Sequence, residues 1–188
     1  GRLPRLTYDL AMLAYGTDKP DLRISLQIVD VTELVAGCGF SVFAKAVEAK
    51  GVVRALRVPG AAKLSRTEIE GMTQEVKSLG AKGLAYIICK PGGEYQSPIV
   101  KFLGSELTSQ LVQELKAKPG DVIFFGADTP AIVAASLGAT RVRLAERLDL
   151  VDRSQLAFCW IVDFPMYEFN DREGKIDFFH NPFSMPQV

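Results

Sequence analysis

The stretch "LSRTEIEGMTQEVKSLG", residues 64–80, constrains the fold more than any other part of this sequence. Ser65 and Glu68 stand in the S-x-x-E spacing by which a helix satisfies its first free amides. Ile69, Met72, Val76 and Leu79 then make an apolar stripe at helical period, and Gly80 supplies the left-handed stop. A helix with one apolar stripe needs a surface to cover, and the runs around it supply one. "FSVFAKAVEAKGVVRALRV" (40–58) reads as two β-rich runs joined by a turn near Lys50 and Gly51. "GLAYIIC" and "SPIVKFL" read as two more strands around the loop "KPGGEYQ". "SELTSQLVQELKA" reads as a second helix, and "KPGDVIFFGAD" leads into another strand. The order over residues 40–118 is ββαββα with a strand at 121–126. The expected class is α+β, a two-layer α/β sandwich in which helices return to a mostly antiparallel sheet.

Both flanks carry further elements. In "PRLTYDLAMLAYG", Leu6, Leu10, Leu13 and Ala14 fall at helical spacing, with Pro4 in the first turn and Gly16 at the stop. Pro20 makes "TDKPDLR" a loop, and Ile24, Leu26 and Ile28 alternate as in a half-buried strand. After the sandwich, Thr129 and Pro130 open a helix through which the chain is expected to leave it. "LAFCWIVDFPMYEF" reads as a strand, "NDREG" as a turn and "KIDFF" as the partner strand.

Composition removes several functions. Lys+Arg and Asp+Glu balance at 22 each, so no global field draws the chain to nucleic acid or anionic lipid. No apolar run approaches the ~20 residues that span a bilayer, and an intracellular, cytoplasmic location without membrane contact is expected. Cys38, Cys89 and Cys159 are scattered, which favours buried free thiols over disulfides or zinc. The G-x-G at Gly37 and Gly39 lacks the remainder of a dinucleotide fingerprint, and no P-loop spacing occurs. With one histidine, His180, no catalytic triad or metal centre assembles within the chain, and neither a catalytic nor a metal-binding residue is assigned. Asp163, Glu168, Asp171 and Glu173 read as solvated turn carboxylates, Asp163 excepted. Arg54, Arg57, Lys63 and Arg66 gather in "RALRVPGAAKLSR", where they could touch phosphates or simply line a solvated face.

A resemblance adds to this reading. "YGTDKPDLR", "WIVDFPMYEF" and "HNPFSMP" resemble catalytic-domain segments of bacterial-type aspartyl-tRNA synthetases. Between them "ALRVPG", "LSRTEIE", "GAKGLAYI", "SPIVKFL" and "GDVIFFGAD" resemble that family's inserted GAD domain, which also occurs in the B subunit of the tRNA-dependent amidotransferase. The resemblance implies an excised piece of a class II ligase. Residues 1–27 would be the segment after motif 2, residues 28–125 the insertion, and residues 126–188 the return to the catalytic domain before motif 3. The parent would use ATP and Mg2+, take L-aspartate and the aspartate tRNA, with the asparagine tRNA as a second candidate, and form a homodimer; the piece alone would be inactive and need no cofactor. His180 matches the first histidine of an H-H-P-F segment in the aspartate pocket, whereas Asn181 replaces the second. The insertion is expected to face tRNA or to be structural, with Arg54, Arg57, Lys63 and Arg66 as candidate phosphate contacts. A stand-alone tRNA- or protein-binding module and a small-molecule-binding regulatory domain are the alternatives.

Overall fold

The computed structural model describes residues 3–170 and 173–179. In chain order the elements are β1 (Arg5–Thr7), α1 (Tyr8–Tyr15), β2 (Ile28–Asp30), α2 (Ser41–Glu48), β3 (Val52–Val58), α3 (Arg66–Ser78), β4 (Ala85–Cys89), β5 (Tyr95–Gln96), α4 (Val100–Glu114), β6 (Val122–Asp128), α5 (Pro130–Arg147), β7 (Trp160–Val162), β8 (Tyr167–Asn170) and β9 (Lys175–Phe178). Strands β2-β3-β6-β4-β5 form one sheet in which every neighbouring pair is antiparallel. Its longest ladder joins β3 to β6 from Val52↔Asp128 to Val58↔Val122.

The central strand explains the layering. Val122, Ile123, Phe124 and Phe125 are all at most 1% exposed. Consecutive strand residues point to opposite faces, so both faces of β6 are covered. Val122 and Phe124 pack with Ile69, Met72 and Val76 of α3 and Val133 and Leu137 of α5. Ile123 and Phe125 pack with Phe43 of α2 and Leu103 and Leu111 of α4. The α+β class and the mostly antiparallel sheet are as the sequence implies. Helices cover both faces, α3 and α5 one and α2 and α4 the other, and α5 lies back across β3 and β6 rather than leading away from them.

Several elements differ from the sequence reading. The hairpin expected over 40–58 is a helix followed by a strand: Phe43 and Val47, four apart, put one side of α2 against the sheet. "SPIVKFL" is not a strand either. Val100–Leu103 forms the first turn of α4, which kinks at Gly104 (φ 79°) before continuing, and the strand opposite β4 is only Tyr95–Gln96. The observed order through β6 is therefore αβαββαβ, not ββαββα and a strand. The first helix begins at Thr7, whose hydroxyl accepts from the Leu10 amide, so Pro4 precedes it and Arg5–Thr7 is free to pair in parallel with β7. Leu10 is 46% exposed, and Ala11 and Ala14 take the buried side. Of the alternating run, Ile24, Leu26 and Ile28 are all buried, but only Ile28–Asp30 is strand. The long last strand divides into β7 and β8 at Asp163, whose φ is 59°, while β8 and β9 form the expected hairpin.

The capping box is formed as the spacing requires: the Glu68 amide donates to Ser65 Oγ and the Ser65 amide to Glu68 Oε2. Gly16 closes α1 with φ 73°, and a Cβ there would run into the Ala134 carbonyl and the Gly138 backbone. Glycine at both 16 and 138 thus lets α1 and α5 meet backbone to backbone.

Candidate functional site

Helix α5 carries an apolar stripe of Val133, Leu137 and Leu144, and Arg141 stands within it. Arg141 is 0% exposed. Its Nε donates to the Leu26 carbonyl at 2.8 Å, and Nη2 donates to the Asp21 and Ile24 carbonyls, each at 2.8 Å. The guanidinium lies 4.9 Å from the centre of the Tyr15 ring. Burial pushes it below its ordinary pKa, against the opposing pull of Tyr15 and Asp21. Among the described residues no carboxylate pairs with it, and Nη1 is buried without a hydrogen-bond partner. Carbonyl dipoles and a ring face hold this charge in place of a counter-ion. The consequence is positional: residues 21–26 are tied to α5. Asp21 turns its carboxylate outward and grips Arg23 in a fork, Nε at 2.9 Å and Nη2 at 2.7 Å, which holds the Asp21 carboxyl below the usual range.

The segment leading to His180 is anchored at the start of α1. Tyr8 lies 5.3 Å from both the Phe164 and the Phe179 ring, edge-on to the latter. Burial, then the charges of Asp18, Glu168 and Asp9, raise its phenol pKa, so Tyr8 stays a neutral hydroxyl among carboxylates. The Trp160 amide donates to the Pro4 carbonyl and the Phe179 amide to the Met166 carbonyl. Two short strand pairs thus converge where Phe179 ends the described chain. His180, Asn181 and Asp171 lie outside the described residues. Asp163 and Glu168 are exposed, as is Glu173, which pairs with Lys175.

The four basic residues are not brought together. Arg54 and Arg57 lie three apart on β3, which places them on opposite faces of the sheet. Arg54 is 8% exposed and reaches Asp30 at 3.4 Å. Arg57 reaches Asp121 at 2.7 Å. Lys63 sits exposed in the short 3-10 turn Ala61–Lys63, and exposed Arg66 pairs with Glu70 at 2.8 Å. Asp121, 4% exposed, also accepts from the Lys118 amide at 2.8 Å and the Gly60 amide at 3.3 Å. It thereby ties the β3 exit to the β6 entry. Cys89 alone of the three thiols is buried; burial, and then Asp121, push its pKa up and keep it protonated. Among the described residues no group of three or more His, Cys, Asp or Glu could hold a metal ion, and no helix is long and apolar enough to cross a membrane.

Arg141, Asp121 and Tyr8 were not singled out in the sequence. Only Arg141 leaves a local sign there, as a charge on the apolar stripe of its helix. Asp121 and Arg57 lie too far apart in sequence for any spacing rule to pair them.

Comparison with known proteins covers both the sheet and its flanks. The GAD domain family profile matches residues 43–137. The Aspartate--tRNA(Asp/Asn) ligase of Moorella thermoacetica is 50% identical over 184 residues, which are 98% of this chain and 30% of that protein. The ligase of the same name from Symbiobacterium thermophilum is 45% identical over 182 residues, 97% of this chain and 31% of that protein. That of Rubrobacter xylanophilus is 46% identical over 184 residues, 98% of this chain and 30% of that protein. The chain therefore spans about 30% of the length of the curated relatives it matches.

Proposed function

This chain belongs to the GAD domain family, and from that premise we propose that it is the insertion domain of an aspartate–tRNA ligase together with the catalytic-domain segments on either side. One observation carries the reading: identity to the named ligases runs over 97–98% of the chain, well beyond the matched residues 43–137. Arg141 and the Gly16–Gly138 contact support it, since they join the segment before the sheet to the helix after it. We place residues 1–27 and residues 126–188, which carry α5 and the β7–β9 region, in the catalytic domain. The insertion extends from residue 28 through 125, and α5 covers one face of its sheet. The exposed apolar side chains of the β7–β9 region, Trp160, Phe169 and Ile176 among them, face the rest of the ligase in this reading.

The reaction proceeds in two displacements. The α-carboxylate of aspartate attacks the α-phosphorus of ATP, and pyrophosphate leaves to give aspartyl-adenylate. A hydroxyl of the terminal ribose of tRNA then attacks the acyl carbon, and AMP leaves. Orientation and charge neutralisation supply most of the rate in such chemistry. No set of described residues fits a Mg2+ ion, so these residues are given no metal role. His180 is the residue we place against aspartate: an imidazole suits hydrogen-bonding or electrostatic holding of the small acidic substrate, and Asn181, which keeps a hydrogen-bonding side chain without a charge, is given no role. The ligase is read as a cytoplasmic homodimer that takes the aspartate tRNA, and the asparagine tRNA is the open second substrate.

Pyrophosphate exchange and tRNA charging by the full-length protein test this function. His180→Ala raises KM for aspartate by roughly tenfold or more, the worth of one charge-assisted hydrogen bond, and leaves KM for ATP unchanged. An unaltered aspartate KM would remove His180 from the pocket. Wild-type protein without aspartate-dependent exchange would sink the ligase reading itself. The 188-residue chain alone gives no such exchange.

A further inference from the structure

Two cavities lie end to end along α3. The first, about 410 Å3, is lined by Phe40 and Tyr86 and by the buried Phe43 and Phe125, with Lys77 and Lys82 also lining it and no carboxylate. The second, about 690 Å3, runs from Arg66 past Glu70 to the segment after β5. Thr73, Tyr86 and Pro98 line both, so the two form one groove between α3 and the β4–β5 edge of the sheet. At about 1.5 Å per helical residue, the path from Arg66 to Lys77 measures roughly 16 Å.

Charge and aromatic surface are unevenly distributed along it. Arg66 and Glu70 neutralise each other at one end. At the other end no carboxylate pairs with Lys77 among the described residues, and Lys82 meets Asp128 at 3.4 Å. Beside that basic end an aromatic ledge reaches solvent. Phe102 is 47% exposed, stacks on Phe40 with centroids 5.9 Å apart, and carries Lys101 Nζ 4.9 Å from its ring centre. Gly39 permits this approach, since a Cβ there would stand 2.7 Å from the Phe102 carbonyl oxygen. Flat apolar rings next to ammonium groups form the surface that single-stranded nucleic acid recognises, bases on the rings and phosphates on the cations.

We propose that the α3 groove, with the Phe40–Phe102 ledge at its basic end, binds an unpaired stretch of RNA. The inference rests on the ligase reading for its partner, since that enzyme must hold a tRNA. The groove is a cleft between one helix and a sheet edge, which suits an extended strand better than a duplex. It also differs from the surface expected in the sequence: Arg54 and Arg57 take no part, and Arg66 alone of those four lines it.

The test titrates the chain with a short fluorescently labelled single-stranded RNA, the same sequence paired as a duplex, and AMP as competitor, at two salt concentrations. Single-stranded RNA binds in a salt-sensitive manner, the duplex binds more weakly, and AMP displaces neither. Phe102→Ala weakens binding at least about fivefold, the loss of one stacked base. Lys77→Glu weakens it and lowers the salt slope by about 0.7, the share of one phosphate on a single strand. Lys175→Glu, on β9, changes nothing. Phe102 on the ledge and Lys77 in the groove are both exposed, and thermal melting verifies that the variants fold. Absence of binding, equal binding of duplex, or insensitivity to both groove variants overturns the proposal. Displacement by AMP as effective as by unlabelled RNA overturns it as well, because the occupant is then a free nucleotide. The two readings fail separately: full-length protein that charges tRNA but is indifferent to the groove variants loses only the groove, whereas wild-type protein that charges nothing loses the ligase.

Discussion

The sheet and the β7–β9 region are built from similar residues and reach opposite outcomes. In the sheet, Val53, Leu56, Ile87, Phe124 and Phe125 are at most 1% exposed because α3 and α5 close one face while α2 and α4 close the other. In the β7–β9 region, Trp160, Phe169 and Ile176 are 62%, 63% and 70% exposed. Aromatic and β-branched residues suit both as strands. What separates them is cover: among the described residues β7 has only β1 beside it, and β8 only β9, and a two-stranded pair is marginal in water. Stability in this chain therefore resides in the layers around β6, and its deepest dependence is on α5.

Removing that cover is the most drastic way to break the contrast. Val133, Leu137 and Leu144 of α5 are at most 1% exposed, and each such side chain is worth roughly 1.5–3 kcal/mol when fully buried. Their joint loss rivals the ~5–15 kcal/mol by which a whole domain is stable. Residues 28–125 alone accordingly show no cooperative denaturant transition, and extension through α5 restores one. A sharp transition from 28–125 would mean that a single helical layer suffices.

Arg141→Met comes next. It leaves the carbonyls of Ile24 and Leu26 without the Arg141 donor, at about 1–3 kcal/mol for each buried group left unpaired, whereas the Asp21 carbonyl keeps the Ile24 amide. Relief of the buried charge offsets part of this, so a loss of about 3–4 kcal/mol is expected from urea unfolding. Hydrogen exchange should rise first in the 17–27 segment, and a uniform rise across the sheet would refute the clamp. Asp121→Asn follows at about 2 kcal/mol, because the half-buried Arg57 keeps its charge but loses its carboxylate. Arg57→Met added to it should recover part of that loss.

The ordering of these effects also says what could be read from the sequence. The capping box was legible since both partners lie within four residues, and Thr129 and Pro130 opened α5 for the same local reason. The class followed from the alternation of strand-like and helix-like runs. Ser41–Glu48 escaped because Phe43, Ala46 and Val47 sit in a run whose Ala and Val residues suit either period, and only the sheet beneath decides. Val100–Leu103 escaped because Ile99 and Val100 favour a strand and the kink at Gly104 hides the continuity of α4. The basic stretch was the least legible. Four positive residues close in sequence became two buried or half-buried ion pairs on opposite faces and two surface side chains, since the strand period and distant carboxylates sorted them. The groove along α3 assembles residues from Phe40 to Phe125, which no local pattern joins.

A finer test uses pH on the α3 cap. Hydrogen bonds from the Ser65 amide and then its hydroxyl, with Arg147 adding to them, lower the Glu68 pKa from 4.5 to about 2. A carboxylate whose folded pKa lies below its unfolded one stabilises the fold fully above the unfolded value, and that contribution is lost as pH falls from about 4.5 towards 2. Glu68→Gln should flatten stability in that window and leave it unchanged in slope above it. Ser65→Ala should cost about 1 kcal/mol at neutral pH through the lost cap. An acid limb that persists undiminished in Glu68→Gln would assign it to other carboxylates.

The smallest effect sharpens the comparison from its other side. Ile176→Thr keeps the β-branched shape that suits β9 and removes only apolar surface that is already 70% exposed. Changes at such sites stay within about 0.5 kcal/mol, so the unfolding midpoint of this chain should not move. Ile123→Thr on β6 makes the same chemical change at a residue that is 0% exposed. There the hydroxyl enters a core packed by Phe43 and Leu111, and a loss of about 2–3 kcal/mol is expected from an unpaired buried polar group. If the two substitutions cost the same, the β7–β9 region is already covered in solution by another part of the chain or by a second copy. A concentration-dependent midpoint in the wild-type chain would identify the second copy as the cover.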